Sequence, residues 1–507
     1  MATPVEEQVA AIRAIFEHDV LRARRMAEEA LAKNPDAAEL REVLIHTYIR
    51  VNDMRGVIAQ CALVAPDKAT PTMLEARGIA HMQLGENAAA FQSLQAAARA
   101  RPMALLADRM GRVLHRMGRM QDAIGLFKSI IDQLAPNEGL RFSAMRNVIY
   151  ALRDLGRWAE ADEMVRTLYA AYRELPIQVA SAIASGDMEV PYTGWTLFLN
   201  KGSLAHALDR WHASHSDHPR FWPESFVVPG DESRLARFKS TAPPSTIFAI
   251  KPENLYGGQG IHLTRDPMAH VASGPAVIQR YLDNPYLLDG HKFHARVYVL
   301  VTGWNPPRAY VYREGIARLA PEPYATDDAA LGRPAMHVTN TALHLKHPGL
   351  KISQDANEEN VGNIWSMSAV YRRMTQDGID GQAVAAKVAI VARYMVMIAN
   401  DYGIFARQQR EHTRYAFPPR VFGLDVLIDA TGRPWLIEYQ RNPALAGSPM
   451  VNRINGDLCR TILGMSVYPL TEGLGGRPVE ALNDMAFRNG LEEEFERRAR
   501  GLFERII

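Results

Sequence analysis

Residues 246–261 read Thr-Ile-Phe-Ala-Ile-Lys-Pro-Glu-Asn-Leu-Tyr-Gly-Gly-Gln-Gly-Ile, and they guide the interpretation of the whole chain. The apolar run 246–250 predicts a strand that delivers Lys251 and Pro252. Glycines in the following loop let a backbone approach a polyphosphate closely, and the lysine supplies a charge to the same oxygens. The stretch predicts a phosphate-binding loop, although turns explain most glycine clusters and the spacing fits neither the P-loop nor the dinucleotide fingerprint.

Two strands much later in the chain each carry an acidic side chain. Residues 422–428 contain Asp425, and residues 435–440 contain Glu438. An isolated strand carboxylate is more often a solvated or capping group. A phosphate loop followed by strand carboxylates is, however, typical of proteins that bind a magnesium–nucleotide complex. The prediction of such a site therefore depends on the conjunction of these features.

The composition is that of an ordinary globular protein, with 47% apolar and 22% charged residues in a chain of 507 residues. This length predicts about two to four domains. A net charge of +2 gives no general attraction to nucleic acid or to a membrane, and we expect neither as a partner. The N-terminus shows no signal-peptide pattern, and no uninterrupted apolar run approaches the length of a membrane span. With only Cys61 and Cys459, a disulfide framework is not expected, and we predict a cytoplasmic protein.

The N-terminal third has the pattern of a helical repeat array. Similar units of about 33 residues begin near Gly78 and Gly111, with small residues where two helices are expected to touch. The pattern resembles the tetratricopeptide repeat over residues 8–175. That resemblance implies stacked helical hairpins with a concave surface for a peptide or a partner protein. The alternative is a helical packing domain that only supports the rest of the chain.

The C-terminal two thirds mix strand and helix patterns. Residues 292–302 predict a strong strand with residues 309–313 as its neighbour, and residues 383–402 predict a helix. We therefore predict a multidomain protein in which an all-α tetratricopeptide-like solenoid precedes an α+β domain.

Eight segments of this part carry a family resemblance when they are taken in order. They are Pro223–Pro229, Ile250–Ile261, Gln279–Leu282, Lys292–Thr302, Tyr312–Gly315, His337–Asn340, Phe422–Asp425 and Leu436–Glu438. Together they resemble the tubulin–tyrosine ligase-like family, which has the ATP-grasp fold, over residues 190–460. The resemblance implies a ligase in which ATP phosphorylates a carboxylate and an amine attacks the acyl phosphate. Such chemistry needs positioning and charge neutralisation and no protein nucleophile.

The resemblance also implies roles for individual residues, with ATP and Mg²⁺ as cofactors. The residues implied to bind ATP are Lys251, Gly257, Gly258, Gln259, Gly260, Ile261, Gln279, Tyr281, Leu282 and Lys292. Those implied to act on the transferred phosphate or the carboxylate substrate are Arg296, Arg313 and Asn340. Those implied to hold the metal are Asp425, Glu438 and Gln440. Each has an ordinary structural alternative, such as a strand-borne ion pair or a turn cap.

The chain departs from the family pattern at three places. His294 stands where the family has Asp, and Gln440 stands where it has Asn, although Asn442 follows closely. A lysine expected after Asn340 appears one position late, at Lys346, or is replaced by His344. Because Mg²⁺ demands near-ideal ligand distances, these substitutions keep open an ATP-binding but inactive domain.

The predicted organisation is a repeat domain at residues 1–180, an ATP-grasp domain at 190–465 and a helical tail at 466–507. The predicted function is the addition of an amino acid to a protein or peptide acceptor that the repeats present. One alternative is a non-catalytic adaptor with a pseudo-ligase domain. A second is a ligase for small metabolites, which has little use for an extended concave surface.

Overall fold

A computed structural model of the chain describes residues 4–16, 20–51, 53–135, 138–173, 198, 200–253, 255, 257–304, 306–406, 420–441, 443–445, 447–466 and 469–507. Asn442 and the predicted boundary at 180–190 lie outside these residues. A helical N-terminal region is followed by a region built on two antiparallel sheets. The predicted order, an all-α part before a part that contains sheets, is confirmed at this level.

Consecutive helices in the N-terminal region pack against one another along the chain. They are α1 (Pro4–Phe16), α2 (Val20–Lys33), α3 (Ala38–Arg50), α4 (Met54–Ala62), α5 (Pro71–Gln83), α6 (Asn87–Ala100), α7 (Ala104–Arg116), α8 (Met120–Gln133), α9 (Gly139–Asp154) and α10 (Trp158–Arg173). Helix α3 also touches α1 and α5, and α7 touches α9. Contacts between alternate helices are those expected when helical pairs stack.

Glycines allow close contact between the two helices of a pair. A Cβ atom at Gly78 in α5 would lie 2.7 Å from Leu94 Cγ in α6. A Cβ atom at Gly111 in α7 would lie 2.6 Å from Phe127 Cε1 in α8. Both distances are too short for a real contact, so the expectation of small residues at the helix contacts is confirmed.

The smaller sheet has the strand order β1-β4-β2-β3 and is antiparallel throughout. Its strands are β1 (Ser225–Val228), β2 (Phe248–Pro252), β3 (His262–Thr264) and β4 (Ala276–Arg280), and α12 (Glu232–Thr241) lies between β1 and β2 in sequence. Phe248 and Ile250 pack in a core with Leu235 of α12. Since side chains alternate along a strand, Ala249 and Lys251 point to the opposite face. That face lines a cavity.

The larger sheet has the strand order β10-β9-β6-β7-β11, with β5 paired to β6 and β8 paired to β7. Its strands are β5 (Leu287–Leu288), β6 (His291–Trp304), β7 (Pro307–Leu319), β8 (Ile364–Ser366), β9 (Arg420–Ile428), β10 (Pro434–Gln440) and β11 (Phe503–Arg505). The helices of this region are α11 (Lys201–Ser214), α13 (Asp328–Leu331), α14 (Pro334–His337), α15 (Met367–Gln376), α16 (Gly381–Asp401), α17 (Pro449–Ser466) and α18 (Met485–Ala499).

The two faces of the large sheet have different surroundings. Ala295, Val297 and Val299 of β6 face the main core, which α11, α15 and α16 complete. Tyr298 and Leu300 face the other side and pack with α17. His294 and Arg296 follow the same alternation. One face of the large sheet therefore packs against α17 at one end and carries the polar side chains of His294 and Arg296 at the other end.

Among the described residues, α16 is the helix whose length and composition would suffice to cross a membrane. Its Val384, Val391 and Met395 side chains are buried in the main core. Such packing is also typical of a core helix.

The C-terminal segment contributes a strand as well as a helix. Helix α18 follows the predicted helical pattern, and β11 then pairs with β7 at the edge of the large sheet. This segment also holds the N-terminal helices, because buried Asp162 of α10 accepts hydrogen bonds from the backbone N–H groups of Leu470 (3.2 Å) and Thr471 (2.6 Å). Trp158 Nε1 donates to Asn483 Oδ1 at 3.3 Å. The helical tail predicted at 466–507 thus also contains a strand, which completes the sheet, and it contacts the helical region.

We predict opposite effects for one substitution at two glycines of the helical region. Gly111→Leu should lower the free energy of unfolding by about 1–3 kcal/mol, because the new side chain must displace Phe127. Gly125→Leu should leave it unchanged or raise it by up to about 1 kcal/mol, since nothing lies within 4 Å of a Cβ there and leucine favours a helix. Urea unfolding followed by circular dichroism at 222 nm measures both. Equal effects would contradict the helix pairing.

Candidate active site

The two sheets enclose a cavity of about 1380 Å³, its open mouth included. The small sheet contributes side chains of β2 and β4, and the large sheet contributes side chains of β6, β9 and β10. The residues predicted from sequence that line it are Lys251, Gly258, Gln259, Ile261, Gln279, Tyr281, Leu282, Lys292, Asn340, Asp425 and Glu438. Residues from distant parts of the chain therefore meet at one place.

Two lysines, Lys251 (partly buried) and Lys292 (buried), occupy the side of the cavity formed by the small sheet and the start of β6. Lys251 Nζ donates to Gln279 Oε1 at 2.6 Å, and Gln279 Nε2 donates to Ser225 Oγ at 2.8 Å. Lys292 Nζ donates to Tyr281 OH at 2.8 Å. Burial lowers the pKa of Lys251 to about 8, although Glu438 opposes this effect. Burial, with a smaller contribution from Lys251, lowers the pKa of Lys292 to about 7. The cavity thus holds cations that lack full solvation.

A third lysine, which the sequence did not single out, reaches the cavity from α11. Lys201 Nζ donates to the backbone oxygen atoms of Leu255 (2.5 Å) and Pro252 (3.3 Å), and so contacts the start of the glycine loop. Burial lowers its pKa, while Glu438 opposes the shift. In the sequence Lys201 looks like any lysine at a helix start. Its position depends on how α11 packs against the small sheet.

A chain of hydrogen bonds holds Lys292 in place. Tyr281 OH, which accepts from Lys292, lies 2.9 Å from His337 Nδ1, and His337 Nε2 lies 3.0 Å from the Ala330 oxygen. Since a carbonyl only accepts, Nε2 carries the proton and Nδ1 accepts from Tyr281. Burial lowers the pKa of His337 to about 4, which keeps the ring neutral at pH 7. His337 belongs to a motif found in the sequence, but its contact with Tyr281 was not predicted.

The glycine loop adopts a backbone that favours glycine. Gly257, Gly258 and Gly260 have φ angles of +64°, +86° and +68°. A Cβ atom at Gly258 would lie 2.7 Å from Val338 Cγ1 and 3.1 Å from Asn340 Oδ1. Glycine at 258 thus lets the loop lie against the segment that carries Asn340.

Asp425 and Arg296 form a buried bidentate ion pair between β9 and β6. Arg296 Nε donates to Asp425 Oδ1 at 2.6 Å, and Nη2 donates to Oδ2 at 3.2 Å. Gln440 Nε2 donates to Oδ2 at 3.3 Å. Burial alone would raise the pKa of Asp425, but the Arg296 charge and hydrogen bonds hold it well below its usual range. Asp425 therefore remains ionised.

Glu438 lies beside this pair, opposite Asp425 in the β10–β9 register. Burial raises its pKa, the charge of Asp425 raises it further, and Lys201 and Lys251 oppose the shift. No described residue makes a hydrogen bond to its carboxylate. No group of three His, Cys, Asp or Glu side chains with metal-binding geometry occurs in the described part of the chain. The carboxylates of Asp425 and Glu438 and the Gln440 carbonyl form an all-oxygen set, the kind that Mg²⁺ prefers.

His294 lies next to Asp425 and is also buried. Its Nδ1 atom is 2.5 Å from Thr339 Oγ1, and its Nε2 atom is 3.7 Å from Asp425 Oδ1. Burial lowers the pKa of His294 to about 4, although Asp425 opposes the shift. The ring is therefore neutral at pH 7, and its contact with Asp425 is not a salt bridge.

The structure does not bring Arg313 to the cavity, and this expectation is corrected. Arg313 Nε pairs with Glu504 Oε2 at 3.1 Å on the edge strand β11, and its side chain is 66% exposed. Arg318, farther along β7, instead lies opposite His294 in the register. Burial lowers the pKa of Arg318, Arg296 lowers it further, and Asp425 opposes the shift. Arg318 is thus the arginine of β7 that faces the acidic residues.

Comparison with known proteins agrees with this geometry. The model of the tubulin-tyrosine ligase family matches residues 191–473. The tubulin polyglutamylase ttll-5 of Caenorhabditis elegans is 29% identical over 292 residues, which are 55% of this chain and 40% of that protein. The human tubulin polyglutamylase TTLL5 is 28% identical over 276 residues, and the human tubulin monoglutamylase TTLL4 is 28% identical over 251 residues. These matches cover 54% and 49% of this chain but 21% of each human protein. The chain belongs to the tubulin-tyrosine ligase family.

We predict that Lys292→Met stabilises the ligand-free protein near pH 7. The folded-state pKa of Lys292, about 7, lies below its ordinary value of 10.5, so folding releases its proton between these values. Stability should therefore rise with pH from about 7 to 10 in the parent protein, and the variant should lose part of this slope. At pH 7 the variant should gain roughly 1–4 kcal/mol. Urea unfolding across this pH range measures the effect. The matched control Lys387→Met removes an exposed lysine of α16, and an equal gain there would contradict the account.

Proposed function

We propose that this member of the tubulin-tyrosine ligase family is an ATP-dependent ligase that joins an amino acid to a carboxylate of a protein or peptide. The observation that carries the proposal is one cavity with partly or fully buried lysines on one side and a carboxylate–arginine cluster on the other. Cations that burial has left poorly solvated suit a polyphosphate, whose charge would replace the lost hydration.

The triphosphate is proposed to lie between the lysines and the large sheet. Lys251, Lys292 and Lys201 would contact its oxygen atoms, and the loop 257–260 would close over them through backbone N–H groups. The strand end formed by Gln279, Tyr281 and Leu282 would hold the base. Support comes from the shared cavity and from the hydrogen bonds that already orient Lys251 and Lys292.

Magnesium is proposed to bind at Asp425, Glu438 and Gln440. Asp425 uses one acceptor position on each oxygen for Arg296, and a carboxylate has about four such positions. The amide nitrogen of Gln440 donates to Asp425, so the side-chain carbonyl oxygen of Gln440 is the atom that would bind the metal. When bound, the metal would neutralise phosphate charge.

The proposed reaction has two steps. An oxygen of the acceptor carboxylate attacks the terminal phosphorus of ATP, and ADP leaves as the acyl phosphate forms. The amine nitrogen of the incoming amino acid then attacks the acyl carbon, phosphate leaves, the amine proton is released, and an amide remains. Arg296 and Arg318, with Asn340 at the loop, would stabilise the charge that develops on the transferred phosphoryl group.

Glutamate is proposed as the amino acid that is added, and an acidic protein segment as the acceptor. This rests on the names of the relatives, which are tubulin polyglutamylases and monoglutamylases. The N-terminal helices are proposed to be tetratricopeptide-like and to present the acceptor. The contacts of Asp162 and Trp158 support this role, because they hold the helical region to the segment that carries β11.

A non-catalytic adaptor is the second candidate. Existing hydrogen bonds favour this candidate. Arg296 and Gln440 already donate to the Asp425 carboxylate, which would have to bind the metal. Calorimetry with Mg²⁺–ATP followed by an assay of amino-acid-dependent ADP release separates the two candidates. The ligase proposal predicts binding and glutamate-dependent ADP release in the presence of acceptor. Binding without ADP release on any amino acid would favour the adaptor.

We predict that two arginines of β7 differ in this assay. Arg318→Ala should lower the rate of ADP release by about 10²–10³-fold, because it removes a cation beside the reacting phosphoryl group. Arg313→Ala, on the same strand but paired with Glu504 at the surface, should change the rate by less than about twofold. The reverse order of effects would show that the site is oriented differently from our proposal.

A further inference from the structure

The start of α11 and the start of the glycine loop hold each other through hydrogen bonds in both directions. Glu253, which directly follows β2, accepts a hydrogen bond from the backbone N–H of Gly202 at 3.1 Å. In the opposite direction, Lys201 of α11 donates to the backbone oxygen atoms of Leu255 (2.5 Å) and Pro252 (3.3 Å). Each segment thus supplies one side chain to the backbone of the other, and we call this set of contacts the clasp.

Glycine at position 202 lets the Glu253 carboxylate reach the helix. A Cβ atom there would lie 2.1 Å from Glu253 Oε1 and 2.9 Å from Val227 Cγ1, both too short for a real contact. The N–H of Gly202 is one of those that a helix start leaves without a partner inside the helix, and a negative charge is favourable there. The Asn200 side chain already caps the helix at Ser203. Glu253 therefore adds a second connection, from the loop to the helix.

Lys201 depends on such support because it is a cation in a poorly solvated place. Its side chain lines the cavity. Burial lowers its pKa, whereas the charge of Glu438 and then that of Glu253 oppose the shift. The backbone oxygen atoms of Pro252 and Leu255 fix the position of its ammonium group. A displacement of Glu253 would therefore change both the charge of Lys201 and its place at the cavity.

We propose that Glu253 is a positioning residue that holds Lys201 and the glycine loop in the fixed relation that a polyphosphate between them requires. The inference rests on the proposed function, which places the polyphosphate against both Lys201 and the loop. Glu253 does not itself line the cavity, so it acts through the clasp. Because the contacts of the clasp run in both directions, breaking either direction loosens both segments.

The first measurement uses the full-length protein without nucleotide. Amide hydrogen exchange followed by mass spectrometry compares the peptides that contain Gly202 and residues 257–260. Glu253→Ala and Lys201→Met should each speed exchange in both peptides, by about tenfold at the affected amides. Glu253→Gln keeps an oxygen that accepts from Gly202, so exchange should stay within about threefold of the parent protein. If Glu253→Ala loosens the start of α11 and leaves the loop as it is in the parent protein, the inference is overturned.

The second measurement is the affinity for Mg²⁺–ATP, determined by calorimetry in a double-mutant cycle. Glu253→Ala should weaken binding about tenfold in the parent protein but less than about twofold when Lys201 is already methionine, because its effect passes through Lys201. Equal weakening in both backgrounds would show a general structural effect and would overturn the inference. The matched control Glu232→Ala removes another carboxylate that accepts from a glycine N–H, that of Gly230 at 2.9 Å, away from the cavity. This control should change neither the exchange nor the affinity.

A failure of the proposed function gives a different result from a failure of this inference. Parent protein that binds no Mg²⁺–ATP would refute the proposed function. The exchange measurement contains no nucleotide, so it would still decide whether Glu253 holds Lys201 and the loop together.

Discussion

The constraint on which the site depends is the burial of several like charges around one cavity. Lys251 is partly buried and Lys292 is buried, and burial lowers their pKa values from the ordinary 10.5 to about 8 and about 7. Clustering amines in this way is unfavourable in the ligand-free protein, because each charged form loses hydration and repels its neighbour. A polyanion that enters the cavity would remove both penalties. The same geometry that destabilises the empty site therefore favours a nucleotide.

The large sheet determines which side chains meet this charge. Alternation along β6 sends Ala295 and Val297 into the main core and His294 and Arg296 to the other face, where His294 lines the cavity and Arg296 pairs with Asp425. The antiparallel register then sets Asp425 opposite Arg296. Because β10 is bulged between Leu436 and Glu438, Glu438 also falls opposite Asp425. Apolar packing on one face thus fixes the positions of the charged groups on the other.

The sequence was sufficient to predict those parts of the site that lie within regular strands. The apolar runs around Lys251, Asp425 and Glu438 identified the strands, and their order along the chain indicated a shared site. Arg313 was misplaced because the β6–β7 ladder shifts between Val297↔Gly315 and Val299↔Val311, and Arg313 lies in that shift. No local pattern reveals such an irregularity. Arg318 lies outside it, in the regular part of the ladder opposite His294, and is the arginine of β7 that faces the acidic residues.

Residues that reach the cavity from other elements were the hardest to predict. Lys201 belongs to a helix, and its position depends on packing between elements. His337 was noticed as part of a motif, but its hydrogen bond to Tyr281 connects two segments that are distant in sequence. The outline of the helical region was accessible because its glycines and alanines repeat with a regular period. The strand in the C-terminal segment was missed because a short edge strand after a charged helix has little periodicity of its own.

Proton uptake during nucleotide binding measures whether the lysines of the cavity meet the polyphosphate. At pH 8 about half of Lys251 and most of Lys292 are uncharged in the ligand-free protein, as their pKa values of about 8 and 7 require. A triphosphate beside them raises both values, so binding of Mg²⁺–ATP should take up roughly one proton per nucleotide. Calorimetry in buffers of different ionisation enthalpy measures this number. Uptake of about one proton, reduced in Lys251→Met, is the predicted result, and binding without proton uptake would contradict the account.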